Sequence, residues 1–142
     1  MVREDIMKMD LDYIKKLLNI LNDCDDDRVE LNYLYTTLQI SSNSESRPLE
    51  KKLRHHLFLL YEAGFIEATT NSLGFKETVN GNILTIGNTR YWLTMKGYQL
   101  LESINNDSLF NKITAGIKNI GIDTLKQMPS LALEYLAKNY LG

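Results

Sequence analysis

The sequence is poor in the residues that build compact chemical sites. It has one cysteine, Cys24, and two histidines, His55 and His56, which are neighbours. One thiol cannot close an internal disulfide, and this donor set does not suit a structural zinc ion. Adjacent histidines on a helix point about 100° apart, a poor joint metal site. Cys24 stands in the acidic run DCDDD, the wrong setting for a low-pKa thiolate. That run lacks the glycine and distal glutamate of a calcium loop and reads as a solvated turn. Neither GFIEAT nor GNILTIG has the lysine and spacing of a phosphate-binding loop. No apolar run reaches the ~18 residues of a membrane-spanning helix. The N-terminal MVREDIMKMDLDY lacks the apolar stretch of a secretory signal. The expectation is a cytoplasmic, non-enzymatic protein that uses no cofactor and no metal and does not enter a membrane.

What is present is an ordinary globular composition: 142 residues, 44% hydrophobic and 24% charged, the size of one domain. Asparagine occurs thirteen times and lysine eleven, a bias expected of an AT-rich bacterial or phage genome. The net charge of −2 conceals a gradient. Residues 1–46 carry five basic and ten acidic groups, whereas residues 47–62 carry four basic and two acidic. The clearest local positive excess therefore falls on one short segment, and it is weaker than the basic stripe of a typical nucleic-acid domain.

Periodicity organises the chain. MDLDYIKKLLNILN, residues 9–22, is an amphipathic helix with Asp10 as N-cap. Residues 28–30 read as a short strand leading into a helix over 31–39. A polar connector precedes Pro48, which suits the first turn of a helix over 48–62 that buries Leu49, Leu53, Leu57 and Leu60. His56 and Tyr61 flank that apolar face, and Gly64 stops the helix as a left-handed C′ residue. The period then changes from 3.6 to 2. Strands are predicted at 65–70, 75–79, 82–86 and 89–93, with Asn80–Gly81 turning a hairpin. Thr94 caps the next helix, in which Gly97 predicts a close helix–sheet approach. Asp107 is expected to cap a further helix, and Asp123 or Thr124 to start the last one, kinked or restarted at Pro129.

Helix, short strand, two helices, then a twisted hairpin is the order of a winged helix-turn-helix, so the predicted fold class is α+β. Residues 1–106 would form that domain, with an extended wing. Residues 107–142 would form a C-terminal helical extension, packing on the same core or forming a homodimer. Ile113, Ile117, Ile120, Leu125, Leu131, Leu133, Leu136 and Tyr140 supply its apolar surface.

Three stretches resemble an uncharacterised bacterial and prophage winged-helix family. They are HLFLLYEAGFIEA (56–68), LTMKGYQLLESI (93–104) and DSLFNKI (107–113). The sequence departs from that family at Phe110, where tryptophan is usual, at Tyr98 and Leu100, and in a longer wing over 71–88. The resemblance implies the fold and no established activity.

Two functions follow as expectations. In a helix-turn-helix, Lys51, Lys52, Arg54 and His55 would face the major groove of double-stranded DNA. Lys76 and Arg90 would bracket the wing. The same charges also read as the solvated face of an amphipathic helix. The alternative function is a protein-interaction module that binds a host protein through an aromatic patch drawn from Tyr33, Tyr35, Phe75, Tyr91 and Trp92. Most of these are expected in the core at the root of the wing, Tyr91 and Trp92 above all, and Phe75 on the inserted hairpin is the expected exposed anchor.

Overall fold

A computed structural model of the chain describes residues 8–41, 44–115 and 121–141. Among these residues it is mixed α+β, with six α-helices and two small antiparallel sheets, an arrangement compatible with the expected class.

The first helix, α1 (Leu11–Asp23), places Ile14, Leu17, Leu18 and Leu21 on one buried stripe. The Asp10 carboxylate accepts the Tyr13 N–H, as an N-cap should. The acidic turn that follows is exposed. Strand β1 (Val29–Glu30) runs directly into α2 (Leu31–Thr37). After a 3₁₀ turn (Ser44–Ser46) comes α3 (Arg47–Glu62), with proline in its first turn. Leu49 is exposed rather than buried, because Glu50 takes the inward position at this turn. Its carboxylate accepts a 2.6 Å hydrogen bond from the Tyr35 hydroxyl, which ties α2 to α3. Burial, and then that bond, raises the Tyr35 pKa far above its ordinary value.

The end of α3 is as the sequence predicts. Gly64 has φ +85°, its N–H donates to the Tyr61 carbonyl, and the Phe65 N–H donates to the Leu60 carbonyl. Those two bonds are the Schellman closure. The chain then enters β2 (Ile66–Ala68), β3 (Phe75–Glu77), β4 (Ile83–Thr85) and β5 (Arg90–Leu93). The principal sheet has the order β1-β5-β2, all antiparallel, with Val29 opposite Tyr91 and Ile66 opposite Leu93. Strands β3 and β4 form a separate two-stranded hairpin. Each strand is shorter than its alternating pattern, because the flanking residues are taken up by turns. At the hairpin tip the Thr78 N–H donates to the Asn82 carbonyl and the Gly81 N–H to the Thr78 carbonyl. The connection is therefore three residues long, with Gly81 at φ +81°, and not a two-residue Asn-Gly turn.

Helix α4 (Met95–Asn105) begins at Thr94, whose hydroxyl accepts the Gly97 N–H. Helix α5 (Asp107–Thr114) is capped by the Asn106 side chain, which accepts the Leu109 N–H. Asp107 is thus in the first turn, where its charge favours the helix, and is not the cap. Helix α6 (Ile122–Leu141) runs through Pro129 without restarting. Leu125 and Met128 are fully buried in the main core, whereas Leu133 and Leu136 are exposed. Of the other apolar residues expected to matter there, Ile117 and Ile120 lie outside the described residues, and the side chains of Ile113 and Tyr140 are not among those described. Among the described residues no helix is long and apolar enough to cross a membrane.

Two glycines should be intolerant of change. A Cβ on Gly97 would lie 2.1 Å from the Phe65 carbonyl oxygen, so Gly97→Ala must push α4 off the sheet. We expect a loss of about 1–3 kcal/mol, read as a lower urea midpoint. Gly64→Val should lower it as well, by about 1–2 kcal/mol, since a β-branched residue resists positive φ.

Candidate nucleic-acid interface

Helix α3 has a mixed outer surface. Its buried stripe runs through Glu50, Leu53, His56, Leu57 and Leu60. Away from that stripe, Arg47, Lys51, Arg54 and Phe58 follow at four- and three-residue steps, one row along the helix. The β3–β4 hairpin lies beside this row. Arg54 Nη1 is 3.7 Å from Glu77 Oε1, and the Arg47 guanidinium donates to Asn82 Oδ1 at the hairpin tip. Between helix and hairpin is an open groove of about 410 Å³, lined by Lys51, Arg54, His55, Phe58 and Glu77. The Arg54 guanidinium also lies over the Phe58 ring, 5.9 Å from its centroid.

The expected DNA-contacting residues are therefore only partly gathered. Lys51, Arg54 and His55 share the groove. Lys52 is turned the other way: its ammonium is 2.9 Å from Asp10 Oδ2 and 4.7 Å from the Tyr13 ring centroid, against the start of α1. Lys76 is exposed on the far face of the hairpin, opposite Leu84 in register, because neighbouring strand residues point to opposite faces. Arg90 belongs to a different surface. It sits across from Glu30 in the principal sheet, with its guanidinium 3.7 Å from that carboxylate. Beside it on that face, Arg28 stacks over Trp92 at 4.1 Å.

Phe75 is not the exposed anchor expected of it. It is 5% exposed and belongs to the main core. The alternation that turns Lys76 to the far face puts Phe75 and Glu77 on the face toward α3, Phe75 in the core and Glu77 exposed at its edge. Tyr91 and Tyr35 are buried too, Trp92 is half-buried under Arg28, and Tyr33 remains exposed. The exposed apolar residues of the hairpin are instead Val79, Leu84 and Ile86.

Three residues matter here that the sequence reading passed over. Arg47 was legible as the residue one turn before Lys51. Glu77 was legible as the strand residue two after Phe75, on the same face. Asn82 had no local signal, since its role depends on where the hairpin folds.

His56 is fully buried rather than placed at the core edge. Its Nε2 accepts the Asp10 N–H at 2.8 Å, so in the neutral ring Nδ1 carries the hydrogen. That hydrogen is donated to the Lys52 carbonyl, 2.7 Å away. A proton on Nε2 would set donor against donor. Burial holds the His56 pKa below its ordinary value of 6.5. The Lys52 ammonium holds the Asp10 carboxyl below its ordinary 3.8. An unfolded His56 thus takes up a proton at a higher pH than a folded one. Stability is complete above about pH 6.5 and falls as the pH drops below that value. The Asp10 contribution is lost only further down, below about pH 4. Urea unfolding should give equal midpoints at pH 7 and 8 and a lower one near pH 5.5, and His56→Leu should flatten that difference.

Comparison with protein-family models, with curated proteins and with solved structures finds no match to this chain.

Proposed function

We propose that this chain is a winged helix-turn-helix protein that binds duplex DNA through the groove between α3 and the β3–β4 hairpin, in a regulatory and non-enzymatic role. The observation that carries the reading is the row Arg47, Lys51 and Arg54 along α3, flanked by a β-hairpin. A helix of this length and a two-stranded ribbon are the two elements that enter a DNA groove, and spaced cations neutralise successive phosphates. The β1-β5-β2 order supports the same fold, because it sets a hairpin-bearing sheet against a helix pair locked by Tyr35 and Glu50.

Electrostatics sets the strength. Lys52 and Arg90 already have carboxylate partners away from the groove. About three cations remain to meet phosphate, which implies weak, salt-sensitive binding. A second reading, a protein-interaction module for a host partner, is favoured by the exposed Val79, Leu84 and Ile86 on the hairpin. Contacts of that kind would not weaken steeply with salt.

Titration of a labelled random duplex over a salt series tests this. We expect micromolar binding at about 50 mM salt and a log–log slope of about −2 to −3. Lys51→Ala should reduce the slope by about one, and Lys52→Ala should leave it unchanged. No binding at about 50 mM salt would remove the DNA reading and leave the protein-interaction one.

A further inference from the structure

The contacts that create the groove also obstruct it. Glu77 is the residue that brings a negative charge into the lining, and it lies against Arg54. Asn82 accepts from Arg47, the first residue of the helix. The two ties fall at the two ends of the cationic row, and each occupies a guanidinium with an oxygen acceptor carried by the hairpin. A phosphate oxygen makes the same demand on a guanidinium that these acceptors now satisfy.

The root and the tip of the hairpin are held very differently. At the root, Phe75 is buried in the core and the Tyr91 hydroxyl donates to the Leu73 carbonyl at 2.5 Å. The Arg54–Glu77 and Arg47–Asn82 ties further out lie at the surface, with the Glu77 side chain 52% exposed and that of Arg54 30%. Water reaches both ties, which makes such pairs individually weak and displaceable by a polyanion. An isolated two-stranded hairpin is itself marginal, so its outer half depends on what it lies against.

Resting on the reading of α3 as the DNA-contacting helix, we infer that the outer half of the β3–β4 hairpin is a self-repressing strap, with Glu77 and Asn82 occupying Arg54 and Arg47 in place of DNA phosphates. DNA displaces these acceptors on binding, and the hairpin then flanks the duplex instead of covering the helix.

The test is duplex affinity at about 50 mM salt for the wild type, Glu77→Gln, Asn82→Ala, Arg54→Ala and the Arg54→Ala/Glu77→Gln double variant. Thermal melts would confirm that each variant is folded. Glu77→Gln should bind about two- to fivefold more tightly, the equilibrium equivalent of one exposed ion pair. That gain should vanish in the Arg54→Ala background, where there is no guanidinium to release. Asn82→Ala should also tighten binding, although it changes no charge. A gain from Glu77→Gln that survives Arg54→Ala, with Asn82→Ala inert, would mean simple removal of negative charge and would overturn the strap while leaving DNA binding intact. Absence of binding by every protein in the set would overturn both readings together. Amide hydrogen exchange gives an independent arm: Thr78 and Gly81, hydrogen-bonded within the tip, should exchange faster in Glu77→Gln and Asn82→Ala than in wild type. Unchanged exchange in both variants would show that these ties do not hold the tip, and would overturn the strap whatever the DNA result.

Discussion

The geometry of this protein turns on a single hydroxyl. Thr94 Oγ1 donates to the Gly64 carbonyl at 2.6 Å and accepts the Gly97 N–H at 3.1 Å. One atom therefore joins the end of α3 to the start of α4. The Thr94 N–H adds a bond to the Phe65 carbonyl, and that same carbonyl oxygen lies where a Gly97 side chain would be. The glycines have opposite duties. Gly64 supplies a backbone angle that L-residues resist, and Gly97 supplies the absence of a side chain. With the corner fixed, the direction in which α3 leaves the sheet is fixed, and so is the side on which the cationic row emerges.

Much of this was legible in the sequence because it is local. A stripe at three and four, an aspartate before it, a glycine after Ala63 and a threonine three residues before Gly97 each act over a few positions. The two-residue strand β1 and the buried stripe of α3 follow from the same kind of signal. The misread positions are those whose environment comes from elsewhere in the chain. Leu49 looks like core until Tyr35 gives Glu50 a reason to turn inward. Asp107 looks like a cap until Asn106 reaches the helix first. Phe75 looks exposed on an inserted hairpin until the hairpin folds over it.

The site was harder to read than the fold, since charge counting assumes that cations are available. Here most of the relevant ones have partners. Lys52 is on Asp10, Arg54 on Glu77, Arg90 on Glu30, and Arg28 lies over an indole. A local excess of positive charge in the sequence thus becomes a groove with few unassigned donors. The strand and helix periods locate Lys51 and Arg54 well enough. The acidic residues that meet Lys52 and Arg54 come from 42 positions before the one and 23 after the other, and no periodicity reports such pairs.

The strand order has a temporal consequence. β5 is the central strand of the principal sheet and also the last of the five to be synthesised. Neither β1 nor β2 has a neighbour in that sheet until β5 arrives, and the β1–β5 pairing spans about 60 residues. On the ribosome, α1, α2 and α3 emerge well before the sheet that will orient them and before the threonine that locks the corner between α3 and α4. The chain must therefore wait, with an apolar helical surface unsheathed, until synthesis has passed Thr94. Synthesis at about 5–20 residues per second, far slower than helix formation, sets the length of that wait. During that interval the nascent N-terminal half is the stage at which a chaperone has most to cover, and its ten acidic groups over residues 1–46 help keep it in solution.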